Sequence, residues 1–176
     1  NSSHVAQCLK KIEFLVCQEI FMSETAKLAD VVLPAACYAE KDGTFTNTER
    51  RVQRIRRAVQ PPGQARPDWQ IICDVATGMG YAMHYEHPGE VFDEMAGLAP
   101  SLAGISYERI DKVGLQWPCP SLDHPGTKFL HAQRFTRGLG KFSAVEYSPP
   151  RESPDAEYPW FLSTGRTLYQ YNVGTM

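Results

Sequence analysis

The chain has 176 residues, 43% of them hydrophobic and 22% charged, with a formal net charge of −2. That length fits one domain of ordinary size, and the balance excludes an intrinsically disordered segment. The slight negative charge argues against a general nucleic-acid or membrane-surface binder, and no apolar run reaches the roughly 18–20 residues that cross a bilayer.

Residues 5–11 read as the closing turns of a helix. Residues 13–17, Glu-Phe-Leu-Val-Cys, form a short apolar run, the mark of a strand buried in a parallel sheet. Ser23 can cap a short helix reaching Leu28, with Glu24 favourably placed in its first turn. Residues 30–33 make a second buried strand, halted by Pro34, which has no amide to donate to a ladder. Strand, helix, strand in this order predicts a right-handed parallel crossover and an α/β fold.

After Gly43 the sequence turns polar and extended over 44–59, as irregular strands or a hairpin arm. Pro61, Pro62, Gly63 and Pro67 make a rigid turn before Asp68, a natural helix N-cap. The helix behind it shows Ile72, Val75, Ala76 and Met79 on one face, with Gly80 as its stop. A second helix over 90–98 is expected to bury Val91, Phe92, Met95 and Leu98. A third, capped by Ser106, carries Tyr107, Ile110 and Val113. Residues 115–132 are loop-like, 141–147 a strand candidate and 148–157 a proline-bearing linker. Residues 158–166 start a new apolar strand that runs into a polar, aromatic loop.

Few groups in this layout suit catalysis. The five cysteines (Cys8, Cys17, Cys37, Cys73, Cys119) contain no C-x-x-C pair, so neither a zinc ribbon nor an iron–sulfur ligand run is encoded. Five reduced, mostly buried thiols are the simplest reading. His84 and His87 are three apart and followed by Pro88, unlike the i, i+4 pair of a helical zinc motif, and read as a surface loop. Gly78-Met79-Gly80 closes a helix rather than opening one, so it is not a phosphate fingerprint. No Ser/His/Asp or Cys/His arrangement stands out. The sequence offers no catalytic residue and no metal ligand.

Binding groups are better represented. Ligands in open α/β sheets lie beyond the C-terminal strand ends. A carboxylate there, at Glu19, can accept from a ribose diol or from the N–H edge of guanine; a solvated strand-end acid is the plainer alternative. Lys41, in the turn Glu40-Lys41-Asp42-Gly43, is either solvated or a point charge for a nucleotide. Asp68 is first a helix cap, worth about 1 kcal/mol, and can also address a ligand near the strand ends. Arg50, Arg51, Arg54, Arg56 and Arg57 lie in a stretch, 40–60, with six positive and three negative side chains. An extended arm with solvated charges is the favoured reading, with one arginine free to anchor a phosphate or to pair with Glu49. Backbone amides near Gly165, with Arg166, can bind an anion.

The order of these features is more telling than any one of them. The acid-ended strand, Glu24-Thr25-Ala26 through Pro34, Glu40 through Gln53, the Pro-Gly turn before Asp68-Trp69, and Tyr158-Pro159 with Thr164-Gly165-Arg166 resemble the molybdenum/tungsten bis-molybdopterin guanine dinucleotide oxidoreductases. The resemblance covers nearly the whole chain. Met83-His84-Tyr85, Gln116-Trp117-Pro118-Cys119 and the arginine-bearing loop 129–142 make it most similar to formate dehydrogenase catalytic (alpha) subunits. Periplasmic-type nitrate reductases share the core motifs.

The resemblance implies that residues 1–148 are the later part of a parallel-sheet, Rossmann-like α/β/α dinucleotide-binding domain. Residues 149–157 would be a linker, and 158–176 the first strand and loop of a C-terminal β-barrel domain. It implies that Gln18, Glu19, Lys41 and Asp68 contact the guanosine end of the cofactor. Thr164, Gly165, Arg166, Thr167, Leu168, Tyr169, Gln170, Tyr171, Asn172 and Val173 would contact its pterin–pyrophosphate portion. The implied cofactors are bis-molybdopterin guanine dinucleotide with Mo or W, and a [4Fe-4S] cluster bound by an upstream region.

Implied partners are formate as substrate and electron-transfer subunits or domains (iron–sulfur, NAD-linked or hydrogenase-linked). Nucleic acid and a membrane span are not expected, and a cytoplasmic location is. The family's cluster cysteines, metal ligand, neighbouring histidine and catalytic arginine have no counterpart in these residues. The chain is therefore expected to be a binding segment of a larger subunit, truncated at both ends. The alternatives are a nitrate or other oxyanion reductase, and a non-catalytic relative such as the large iron–sulfur subunit of NADH dehydrogenase. Lys41, Asp68 and Thr164-Gly165-Arg166 together argue against the last.

Overall fold

In the computed structural model, which describes residues 2–163 and 165, the first helix, α1 (Ser2–Leu9), leads into a parallel strand pair. β1 (Val16–Glu19) lies beside β2 (Val31–Pro34), with Val16 opposite Val31 and Glu19 opposite Pro34. The connection holds a 3-10 turn, Ala26–Leu28, and Ser23 Oγ accepts from the Ala26 amide at 3.2 Å. Lys27 pairs with Glu24 across that turn. Strand, turn and parallel strand thus appear where the sequence puts them, each strand one to three residues later than its apolar run.

The expected full burial of these strands is met only in part: Cys17, Val32 and Leu33 are half-buried. Phe14, Val16 and Val31 are all exposed. A parallel sheet is buried only when both faces are covered, and a sheet of two short strands is too narrow to shed water from either.

The polar arm folds as a hairpin. β3 (Gly43–Thr46) pairs antiparallel with β4 (Arg51–Ile55), Gly43 opposite Ile55 and Thr46 opposite Val52. Asn47 Oδ1 caps the turn by accepting from the amides of Glu49 and Arg51, both at 3.0 Å. Arg50 there has φ +64°, a left-handed conformation that costs a residue with a Cβ about 1–2 kcal/mol. A third strand, β5 (Leu115–Gln116), joins β4 with Leu115 opposite Val52. Residues 115–132 are therefore not all loop; two residues carry no periodicity, and their pairing partners, Arg51 and Val52, lie more than sixty residues away.

Two further helices follow the hairpin. α2 (Asp68–Gly78) buries Ile71 and Cys73, whereas Ile72, Val75 and Met79 of the expected face are exposed. Hydrophobic spacing marks a helix but does not say which side its neighbours cover. Gly80, at φ +89°, follows the helix end as expected. α3 (Pro88–Leu98) begins behind His87, whose Nδ1 accepts from the Gly89 amide at 3.1 Å. It buries Phe92 and Ala96 but leaves Met95 and Leu98 exposed. The third expected helix is a single turn: the Ile110 amide donates to Ser106 O at 3.1 Å, and Val113 is exposed. Gly114 ends it, because the chain must there pass close to the backbone of Val52 to form β5.

The core consists of Val52, Phe92, Ala96, Ile105, Ile110 and Cys119, with Leu102, Tyr107, Leu115 and Trp117 packed against it. The five thiols are free, but two of them rather than most are buried, Cys73 and Cys119.

By its contacts the chain divides into two units, Asn1–Ala132 and Gln133–Met176. The first contains every element above. In the second, the described residues form a bridge between Phe135 and Gly138 and a turn in which Asp155 Oδ1 accepts from the amides of Glu157 (2.9 Å) and Tyr158 (2.7 Å). Neither the strand expected over 141–147 nor one over 158–163 is formed. A strand needs a neighbour to satisfy its amides and carbonyls, and the described part of this unit offers none. The described fold is mixed α/β with small sheets.

Candidate functional site

The parallel pair organises the best-developed polar cluster. At the C-terminal end of β2 the Arg66 amide donates to Pro34 O (3.1 Å) and the Ala36 amide to Arg66 O (2.8 Å), so Ala35 and Arg66 bridge in parallel. This tether starts α2 just beyond the strand ends. A 3-10 turn, Tyr38–Glu40, closed by a capping box in which the Cys37 amide donates to Glu40 Oε2 (2.9 Å), delivers Lys41 to the same place. Gln18 reaches it from the end of β1.

Asp68 is where the three meet. Its Oδ1 accepts from Gln18 Nε2 at 2.5 Å, and its Oδ2 accepts from Lys41 Nζ. Asp68 is not the helix cap: Pro67 occupies the cap position and Asp68 is the first helical residue. Its carboxylate turns toward the strand ends while remaining in the first turn, where the helix dipole favours negative charge. Partial burial pushes its carboxyl up. The hydrogen bonds from Lys41 and Gln18 and the Lys41 charge outweigh that and hold it below the usual aspartate range.

Glu19 is not part of the cluster. Alternation along β1 sends its side chain to the other face from Gln18, and its Oε1 accepts from the Ile20 amide at 2.9 Å. Of the later loop, Gly165 is exposed, with nothing within 4 Å of where a Cβ would stand. Thr164, Arg166, Thr167, Leu168, Tyr169, Gln170, Tyr171, Asn172 and Val173 lie outside the described residues.

Beside Lys41 and Asp68 a cleft of about 250 Å³ is walled by Trp69, Phe92 and Tyr107. The Tyr107 ring packs against Phe92, with centroids 5.7 Å apart, and carries the Arg54 guanidinium 3.8 Å above its face. Burial raises the Tyr107 hydroxyl above its usual range, and the Arg54 charge works against that rise. A second cleft, of about 380 Å³, opens between Lys41, Arg57, Trp69 and His87.

Arg57 is exposed as composition favours, but Arg50, Arg51, Arg54 and Arg56 do not form a solvated arm. Arg51 donates to Gly114 O at 2.9 Å and stands 3.7 Å from Glu49, the pairing considered from sequence. Arg56 donates to the Asp111 carbonyl at 2.8 Å. Arg50 donates to the carbonyls of Trp117, Thr127 and Lys128. These contacts join the hairpin to loop 105–128, and no local pattern links position 50 to position 117. Among the described residues no group of three or more metal-ligating side chains occurs. His84 is exposed, 2.9 Å from Glu86, and His87 serves as the cap of α3.

Residues 1–78 match the family model described as molybdopterin oxidoreductase. The chain is 56% identical, over 99% of its length, to F420-dependent formate dehydrogenase 2 subunit alpha of Methanococcus maripaludis. It is 52% identical, over 98% of its length, to F420-dependent formate dehydrogenase subunit alpha of Methanocaldococcus jannaschii. It is 41% identical, over 99% of its length, to the assimilatory nitrate reductase catalytic subunit of Bacillus subtilis. The chain spans 26% of the length of each of these relatives.

Proposed function

We propose that the chain belongs to the molybdopterin oxidoreductases, whose family model matches residues 1–78, and that it is part of the cofactor-holding region of a formate dehydrogenase alpha subunit. The observation that carries this reading is its 56% identity, along 99% of the chain, to such a subunit. In this reading residues 1–148 belong to a Rossmann-like dinucleotide-binding domain, 149–157 link, and 158–176 open a β-barrel domain.

The cofactor proposed is bis-molybdopterin guanine dinucleotide. The chemistry of the cluster fits its guanosine end. A carboxylate held below its usual pKa is an acceptor for ring N–H groups, and an ammonium and an amide beside it can donate to hydroxyl or carbonyl oxygens. Asp68, Lys41 and Gln18 would bind and orient the base; Glu19, on the opposite face of β1 with its Oε1 on the Ile20 amide, would have to turn at the strand end to reach the ribose. Gly165 with Thr164 and residues 166–173 would hold the pterin–pyrophosphate portion. None of these residues moves a proton in the reaction; their work is binding and orientation. The bound group would supply the Mo or W redox chemistry for oxidising formate to carbon dioxide, with a [4Fe-4S] cluster and a partner as the proposed electron acceptors.

Three relatives at 47–56% identity are named F420-dependent, so F420 is the acceptor to try first, ahead of NAD-linked or hydrogenase-linked partners. No described helix is long and apolar enough to cross a membrane, and a cytoplasmic location is part of the proposal.

The complete protein carrying this chain, purified without air, is expected to reduce F420 or a viologen dye on addition of formate. It is also expected to release GMP and Mo or W on acid treatment. A protein with neither metal nor guanine nucleotide would overturn the proposal. The 41% identity to a nitrate reductase favours that enzyme as the second reading; oxidation of reduced viologen by nitrate, with no formate activity, would establish it instead.

A further inference from the structure

We infer that His4 and Cys8, one turn apart on α1, form an exposed two-ligand site for a soft divalent cation of the Zn2+ type. Cys8 Sγ lies 3.6 Å from His4 Nε2, and both residues are exposed. In a tetrahedral site, Zn–S of about 2.3 Å and Zn–N of about 2.0–2.1 Å set sulfur and nitrogen about 3.6 Å apart. The pair is therefore already spaced as one edge of such a tetrahedron. Its i, i+4 separation is the reason, since residues four apart stand one above the other on a helix face. His84 and His87 lack that spacing.

The surroundings suit a cation. Cys8 stands in the last turn of α1, where carbonyls without helical partners make the helix end negative. Lys10 and Lys11 follow and oppose a metal, but their long stems let the ammonium groups swing into water. Imidazole and thiolate are ligands that Zn2+ favours, whereas Mg2+ and Ca2+ take oxygen. Of the five thiols Cys8 alone is exposed. Among the described residues no third ligating side chain joins the pair, so water completes the shell and the metal exchanges.

Binding balances without redox change. The Cys8 S–H bond breaks, its proton passes to solvent, and the sulfur gives its electron pair to the metal. His4 gives the lone pair of Nε2 and keeps its proton on Nδ1. A bridge across one turn also steadies a helix of eight residues, well short of the about 12–15 that an isolated helix needs.

Alkylation by iodoacetamide in the complete protein tests this, with each cysteine followed separately by peptide mass spectrometry. Zn2+ should slow alkylation of Cys8 by about tenfold, because a metal-bound thiolate is no longer a free nucleophile. Cys17 and Cys37 should react at unchanged rates, which also confirms folding, and Mg2+ should protect nothing. His4→Ala should leave Cys8 reactive in metal-free buffer and cancel the protection. Hydrogen exchange of the α1 amides should slow with Zn2+ in the unsubstituted protein alone. No protection of Cys8 by Zn2+ overturns the inference. Protection of equal size in His4→Ala, where the thiol alone would be capturing metal, overturns it as well.

Discussion

Arg50 and Trp117 hold each other from both ends. The Arg50 guanidinium donates to Trp117 O and lies 5.7 Å from the centre of the indole, while the Trp117 amide donates to Arg50 O at 3.1 Å. The same guanidinium reaches Thr127 O and Lys128 O, each at 3.1 Å. One side chain in the β3–β4 turn therefore closes loop 115–128 over the core. A lysine keeps the charge but has no planar fork to span three carbonyls. Arg50→Lys is expected to destabilise the protein by about 1–3 kcal/mol. Hydrogen exchange should quicken in 115–128 and stay unchanged in β1 and β2.

Two glycines give opposite expectations. A Cβ on Gly104 would overlap Ser121 O and lie 2.8 Å from Cys119 O, both backbone atoms that cannot swing away. Gly104→Ala should therefore unfold the loop that packs Cys119 and lower the melting temperature. Gly97, within α3, meets nothing within 4 Å. Gly97→Ala should raise stability by about 0.5–1 kcal/mol, by lowering the entropy of the unfolded chain. Urea denaturation of both variants checks the contrast.

Phe92 is the aromatic centre of the core, 3% exposed and packed with Val52, Ile105 and Ile110. Truncation to alanine is expected to cost about 3–5 kcal/mol, as transfer and cavity losses add. Since Phe92 and Tyr107 also wall the cleft beside Asp68, Phe92→Ala should speed loss of bound guanine nucleotide as well, measured on the fraction that remains folded.

The Asp68 cluster predicts an acid-limb signature. The carboxyl is held below its ordinary value of 3.8 in the folded protein. A group lowered on folding contributes stability that is complete above the unfolded pKa and is lost as pH falls through the folded one. The stability difference between the protein and its Asp68→Asn variant should be constant near neutrality and close as pH drops below about 3.8. A difference that instead grows toward acid would contradict the assignment of Lys41 and Gln18 as donors to an ionised Asp68.

Several features were legible in the residues themselves. The order of strand, turn and strand, the hairpin after Gly43, the helix behind Asp68 and the stop at Gly80 all follow from short-range chemistry: apolar runs, a proline without an amide, a glycine free to turn. The family resemblance is carried in the same way by residue order, from Glu24-Thr25-Ala26 through Pro34 and from Glu40 through Gln53. Corrections fall where the outcome depends on distant partners. The exposed face of α2, the only partial burial of β1 and β2, and the strand at Leu115 were each decided by what lies beside them in space.

The arginines and Asp68 mark the boundary most clearly. Composition shows a run of positive charge and a good helix cap. It contains nothing that pairs Arg50 with Trp117, or that turns Asp68 away from its helix toward Gln18 and Lys41. Which groups can donate and accept is a property of the chain. Which of them meet is decided only when β2, the 36–41 turn and α2 are tethered together, because hydrogen bonds form over about 3 Å and sequence separation sets no such distance.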